Sequence, residues 1–232
     1  MSVNNPWQFL PQTAPYIAPG DHQSVSKFND KPTREEKHRL RTHLPPLPFQ
    51  GRVEAPVVLL GLNPGYVESD NQNHLTREFL DANWRNYKHD NADYPFFFLD
   101  PQYAGDAGQK WWHKRLAHLR QESKHNGQFS DEQLAKSLLC VQYFPYRSER
   151  YSPASVASQE YSFGLVRAAM KRNALIILLR SRALWEKAIP ELKSYPHRLQ
   201  VSAPLQPVLS RKQLGDAGWE KLLAALQAGA KS

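Results

Sequence analysis

The fold class predicted is α/β, a layered domain around a parallel sheet, and three observations point to it. Four short apolar runs are bounded by turn or polar residues, at 56–61 (PVVLLG), 137–143 (SLLCVQY), 174–179 (ALIILL) and 198–202 (RLQVS). Continuous apolar runs of that length mark strands buried on both faces. Stretches with helical spacing lie between them, so strand and helix alternate and right-handed crossovers give a parallel sheet. The length of 232 residues, 41% of them hydrophobic, suits one domain with some excess. Such a chain buries roughly 70% of its unfolded surface.

Taken in order, residues 1–50 read as an N-terminal extension rather than as core. They carry Pro6, Pro11, Pro15, Pro19, Pro32, Pro45, Pro46 and Pro48. Within them Thr33 has Glu36 three residues on, the capping-box spacing of a short helix that Pro45 and Pro46 end. Residues 51–232 read as the α/β domain, with its body beginning at Ala55. After the first strand more than seventy residues, from Gly61 to Ser137, precede the second. This excursion holds an aromatic-rich insertion at about 67–112, including Tyr87, Tyr94, Phe96, Phe97, Phe98, Tyr103 and Trp111. Long connections leaving the C-terminal end of a strand are where open α/β sheets place ligands.

Helical spacing of Trp112, Leu116 and Leu119 predicts a helix over 109–122. The same pattern in Val156, Phe163, Val166 and Met170 predicts one over 154–172. Shorter helices are predicted at 182–189 and 218–226.

Composition excludes several classes. The single Cys140 leaves no internal disulfide framework and no Cys-ligated cluster. No apolar run approaches the ~18–20 residues that span a bilayer. The start has neither a basic nor an apolar leader segment. The expectation is a soluble, cytoplasmic monomer with no membrane partner. Thirty Lys and Arg against twenty-two Asp and Glu, a net charge of +8, suit a polyanion such as nucleic acid, although a merely solvated basic surface gives the same sum. His113, His118 and His125 have poor spacing for chelation on one helix face, and no metal or cofactor is expected.

The segment Gly61-Leu62-Asn63-Pro64-Gly65-Tyr66 follows the first strand. It has neither the GxGxxG spacing of a dinucleotide loop nor the GxxxxGK[ST] of a P-loop. It is a sharp turn: Pro64 fixes its own φ and Gly65 tolerates tight conformations. Such a turn presents the Asn63 amide at the sheet edge, although Asn-Pro-Gly is also ordinary strand-to-helix turn chemistry.

VVLLGLNPGY resembles the first motif of the uracil-DNA glycosylase superfamily, in the Asn-bearing form of its mismatch-specific, thymine-DNA and single-strand-selective branches. The resemblance covers residues ~55–228 in outline. It implies a three-layer αβα fold with a central four-stranded parallel sheet. It also implies that Asn63, framed by Gly61 and Pro64, positions the attacking water. Gln142, at the end of LLCVQY, falls where that family carries a base-reading Asn. The stretch from Val201 to Arg211 resembles the family's last loop without its catalytic His. There Leu205 or Leu209 is the implied wedge. Gln206, Arg211 and the adjacent Lys212 are implied DNA contacts. Donors to the departing base are the Gln142 amide and the backbone of the loop from Ser202 to Gln206. Tyr66, Phe97 and Phe98 are the expected stacking partners of a flipped base.

The implied activity is monofunctional excision of a pyrimidine-type base from DNA, in repair or in anti-phage defence. That base is uracil, mismatched thymine or a bulky modified pyrimidine. The rivals are a non-catalytic DNA-binding protein on a degenerate glycosylase fold and an enzyme of free nucleosides or nucleotides.

Overall fold

The computed structural model describes residues 4–90, 92–126 and 129–229. It is an α/β protein whose five strands form one mixed sheet in the order β1-β3-β2-β4-β5. The strands are β1 (Phe49–Gly51), β2 (Val57–Gly61), β3 (Leu138–Gln142), β4 (Leu175–Leu178) and β5 (Arg198–Gln200). All four strands read from the apolar runs are present, and they run parallel. The sheet departs from the expected four-stranded parallel one at its edge. β1 joins antiparallel to β3, with Phe49 opposite Val141. Its three residues include one polar side chain and a glycine, too little for an apolar run to reveal.

The α-helices are α1 (His22–Asn29), α2 (Asp70–Asn73), α3 (Arg77–Lys88), α4 (Ala107–Arg115), α5 (Ala117–Asn126), α6 (Asp131–Ser137), α7 (Gln159–Lys171), α8 (Arg182–Ala188), α9 (Arg211–Leu214) and α10 (Asp216–Gly229). The helix expected over 109–122 is two, because the chain leaves helical geometry at the fully buried Leu116. The helix expected over 154–172 starts only at Gln159. In place of a helix capped by Thr33 there is a three-residue 3-10 turn, Glu36–His38, with no side-chain cap. No helix among the described residues is long and apolar enough to cross a membrane.

Side chains alternate across a strand, so the central strands feed two cores. Val58, Leu60, Leu139, Val141, Ile176 and Leu178 face one, with Phe163 and Val166 of α7 and Trp185 of α8. Val57, Leu59, Leu138, Cys140, Leu175 and Ile177 face the other, with Trp112, Leu134, Trp219 and Leu222 from α4, α6 and α10. Each such side chain contributes about 1.5–3 kcal/mol on full burial.

Leu47 joins the second core, but most buried side chains of the N-terminal fifty residues join the first rather than standing off it. Trp7, Leu10, Tyr16, Ile17, Val25, Phe28 and Leu40 are buried there. The prolines misled because they shape a packed segment whose regular structure is short: 3-10 turns at Pro6–Phe9 and Glu36–His38, the eight-residue α1 and the start of β1. Asp21, fully buried, fastens it: its carboxylate accepts from Tyr146 Oη (2.7 Å), Ser158 Oγ (2.6 Å) and Ser158 N (3.0 Å).

Candidate functional site

The parallel register assembles the site. β2 pairs with β3 so that Gly61 lies beside Gln142, and with β4 so that Leu60 lies beside Leu178. The C-terminal ends of three adjacent strands therefore finish together, and a cavity of about 450 Å³ opens above them. The loop after β2 is bonded to the loop after β3: Phe144 N donates to Leu62 O (2.8 Å) and Ser148 N to Pro64 O (3.4 Å). From beneath, Trp185 Nε1 donates to Gly61 O at 2.8 Å.

Six of the residues singled out in the sequence line this cavity: Gly61, Asn63, Pro64, Tyr66, Phe98 and Gln142. Asn63 is held by its amide nitrogen, which donates to Pro64 O (3.0 Å) and Ser148 Oγ (3.1 Å). That leaves Oδ1 as an acceptor without a partner among the described residues, the polarity needed to hold a water by its hydrogen. Gln142 Oε1 is buried with no partner, and Nε2 makes only a 3.8 Å contact to Cys140 Sγ. The amide packs against the Gly61 Cα, where a side-chain carbon on residue 61 would overlap it. Cys140 also lines the cavity, but burial pushes its thiol pKa up, away from the thiolate a nucleophile requires.

The aromatic wall differs from the expected one. Phe98 is on it, its ring lying where a Cβ on Gly108 would otherwise sit. Phe97 is not: it is buried in the second core against Phe79 and Tyr103. Trp111 and Trp112 of α4 take that place in the lining. Tyr66 donates from its hydroxyl to Glu68 Oε2 (2.8 Å), and Arg41 lies 4.5 Å from its ring centroid. Burial, helped by Glu68, raises the Tyr66 pKa.

The loop after β5 stands beside the cavity rather than in its lining. Leu205 is 87% exposed at its tip, whereas Leu209 is fully buried in the core and is no wedge. Ser202 N donates to Gln213 O (3.1 Å) and Gln206 N to Ala203 O (3.0 Å), so these two amides are already used as donors. Arg211 is paired with Asp216 (3.1 Å) and Glu220 (2.8 Å), while Lys212 is exposed.

Four ionisable residues in or behind the cavity lining went unread in the sequence. Asp70, His74 and Asp106 are buried with their donor atoms within 4.8 Å of one another, a three-ligand set with the chemistry of a divalent-cation site. The same atoms also serve the fold. His74 Nε2 bonds Asp106 Oδ2 (3.2 Å), and Asp106 Oδ1 caps α4 through Gly108 N (2.7 Å) and Gln109 N (3.4 Å). Arg147, 4% exposed, lies 3.9 Å from Asp70 Oδ2, and its Nε donates to Pro45 O (3.0 Å). A cation here would share the space with that guanidinium. Burial, then Arg147, lowers the His74 pKa below its ordinary 6.5, so the ring is neutral with Nε2–H donating. Burial pulls the Asp106 pKa up, but the bonds from His74 and Gly108 outweigh it and hold the carboxyl low.

No spacing pattern could have joined Asp106 to His74, thirty-two residues apart. The polar run RSER at 147–150, five residues past the end of β3, was the one readable signal for Arg147, Ser148 and Glu149. Of the histidines weighed in the sequence, the side chain of His125 lies outside the described residues. Compared with family models, curated proteins and solved structures, the chain matches none of them.

Proposed function

We propose that the chain is a monofunctional DNA glycosylase that extrudes a pyrimidine-type nucleotide and hydrolyses its N-glycosidic bond. One observation carries this reading. The strand register brings Asn63 and Gln142 to one cavity walled by Phe98, Trp111 and Trp112, at the sheet edge where open α/β folds hold ligands. At about 450 Å³ the cavity is in the ~300–1,000 Å³ range of small-ligand pockets. That leaves room for uracil, thymine or a bulkier modified pyrimidine, as substrates of repair or of anti-phage defence.

In this mechanism the base leaves with the electron pair of the glycosidic bond, and the oxygen of a water bonds to C1′. Asn63 Oδ1 accepts one hydrogen of that water and aims it. A neutral amide is a poor base, so the water's proton goes to Glu149, the exposed carboxylate of the lining. Gln142 Nε2, which makes only a 3.8 Å contact to Cys140 Sγ, keeps a hydrogen to donate where the leaving base gathers negative charge, and donors placed there supply the main stabilisation. Extrusion costs a few kcal/mol of stacking and pairing. Stacking on the aromatic wall and contacts from the +8 chain offset it.

The test is free-base release, read by mass spectrometry, from DNAs holding uracil, mismatched thymine, or hydroxymethylated or glucosylated pyrimidines. Asn63→Ala and Glu149→Gln are run alongside. Release of one base, reduced ~10²–10³-fold in Asn63→Ala with the fold retained, is expected. Tight DNA binding with every base left intact would transfer the reading to a non-catalytic binding protein.

A further inference from the structure

We infer that Arg115 and Arg180 form a phosphodiester-binding pair at the cavity mouth, holding the strand next to the extruded nucleotide. Arg180 follows β4 and is part of the cavity lining, and its Nη2 donates to Leu205 O at 3.2 Å. Arg115 ends α4, stacks 4.2 Å over Trp111 of the same lining, and through its carbonyl accepts Leu209 N at 2.9 Å. Arg180 through its guanidinium and Arg115 through its carbonyl thus both hold the loop that carries the exposed Leu205.

Their charges are uncompensated. Arg120, Arg198 and Arg211 each have a carboxylate within 2.8 Å, whereas Arg115 and Arg180 have none among the described residues. Both carry a buried Nε with no hydrogen-bond partner. Burial lowers both pKa values, and the nearby Arg180 lowers that of Arg115 further. Two half-buried like charges with spare donors are costly to hold together unless an anion joins them. Guanidinium forks match phosphate oxygens. Lys110 and Lys114, exposed on α4, and Lys212 on α9 continue the positive surface. Such a strip suits an extended backbone better than one small anion.

This rests on the glycosylase reading for its choice of DNA, and the two are separated by paired readouts. Binding of a duplex with an abasic-site analogue is measured by anisotropy across a salt series, with base release recorded in parallel. Arg115→Gln and Arg180→Gln should each lower the slope of log affinity against log salt by about 1. Arg180→Lys should restore the slope, and Arg198→Gln should leave it unchanged because that charge is already paired with Glu186. Equal slopes in wild type, Arg115→Gln and Arg180→Gln would overturn the pair, even if base release proceeds. Lowered slopes without base release would keep the pair and overturn the glycosylase. Inorganic phosphate alone, titrated against the bound duplex, separates the sources. Displacement at concentrations near that of the oligonucleotide would make this a free-phosphate site and overturn the strand assignment. No binding by the wild-type chain would overturn both.

Discussion

The loop that leaves β2 and the loop that leaves β5 end at the same edge of the sheet, and they are built in opposite ways. The first is tied down on every side. Pro64 O receives Asn63 and Ser148, Gly65 O receives Arg147, and the helix that follows is pinned by the buried Asp70, His74 and Asp106. The second is fastened through its backbone, by bonds to Gln213 and Arg115 and from Arg180 to the Leu205 carbonyl, and holds its one large apolar side chain in solvent. The difference separates two tasks. An amide that aims a water needs its position fixed before substrate arrives. A residue that enters a duplex has to be free of the protein's own core.

The contrast breaks most visibly at Asp106. Asp106→Ala removes the acceptor of His74 and the cap of α4 at once. Leaving a buried donor unpaired costs about 1–3 kcal/mol and losing a helix cap about 1 kcal/mol more, seen as a drop in the denaturant midpoint. A variant of the loop after β5 should show nothing comparable.

Gly61→Ala is the finer instrument on the same side. The new Cβ meets the end of the Gln142 side chain, which can swing away, so stability should change little. The displaced amide can no longer meet the leaving base, and base release should fall about tenfold or more, the worth of one lost hydrogen bond. Equal release in this variant would remove Gln142 from the mechanism.

Protonation sharpens the comparison further. His74 titrates below 6.5 in the folded chain, so between the folded and unfolded values the unfolded state binds more protons. Stability is therefore complete above about pH 7 and declines as pH falls through ~6.5, levelling below the folded value. His89 and His113 are lowered by burial too and act in the same direction. Melting temperatures from about pH 7.5 down to about pH 5.5 should fall, less steeply in His74→Gln. An unchanged slope in that variant would mean that His74 is not the residue that feels the acid.

The same division governed what was legible in the sequence. The four parallel strands and the Gly61–Tyr66 turn were readable because apolar runs and Pro-Gly chemistry are local signals. Gln142 came with them, since the strand that ends in it could be seen. The Asp70, His74 and Asp106 cluster was not readable, because Asp106 joins the neighbouring Asp70 and His74 only after a thirty-two-residue excursion closes. Phe97 and Phe98 are adjacent and chemically identical, and both pack against Phe79; only the fit of the Phe98 ring against Gly108 sets it on the cavity wall. Proline content hid the buried role of Trp7 and Phe28, since prolines that shape a packed segment look like those of a loose one. Charge count likewise could not distinguish the neutralised Arg211 from the unpaired Arg180.

The smallest effect bears on Leu205 and decides whether the freedom of its loop has a use. At 87% exposed this side chain contributes almost nothing to the fold, so Leu205→Ala should leave stability within about 0.5 kcal/mol. An apolar group held in water has no benefit in the free protein, but inserted in a duplex it fills the space left by an extruded base and slows its return. A single-stranded substrate has no such gap to hold open. Leu205→Ala should therefore slow base release several-fold from duplex and hardly at all from single strands. Equal losses on both would assign the side chain to substrate binding, and no loss on either would leave it an ordinary exposed leucine.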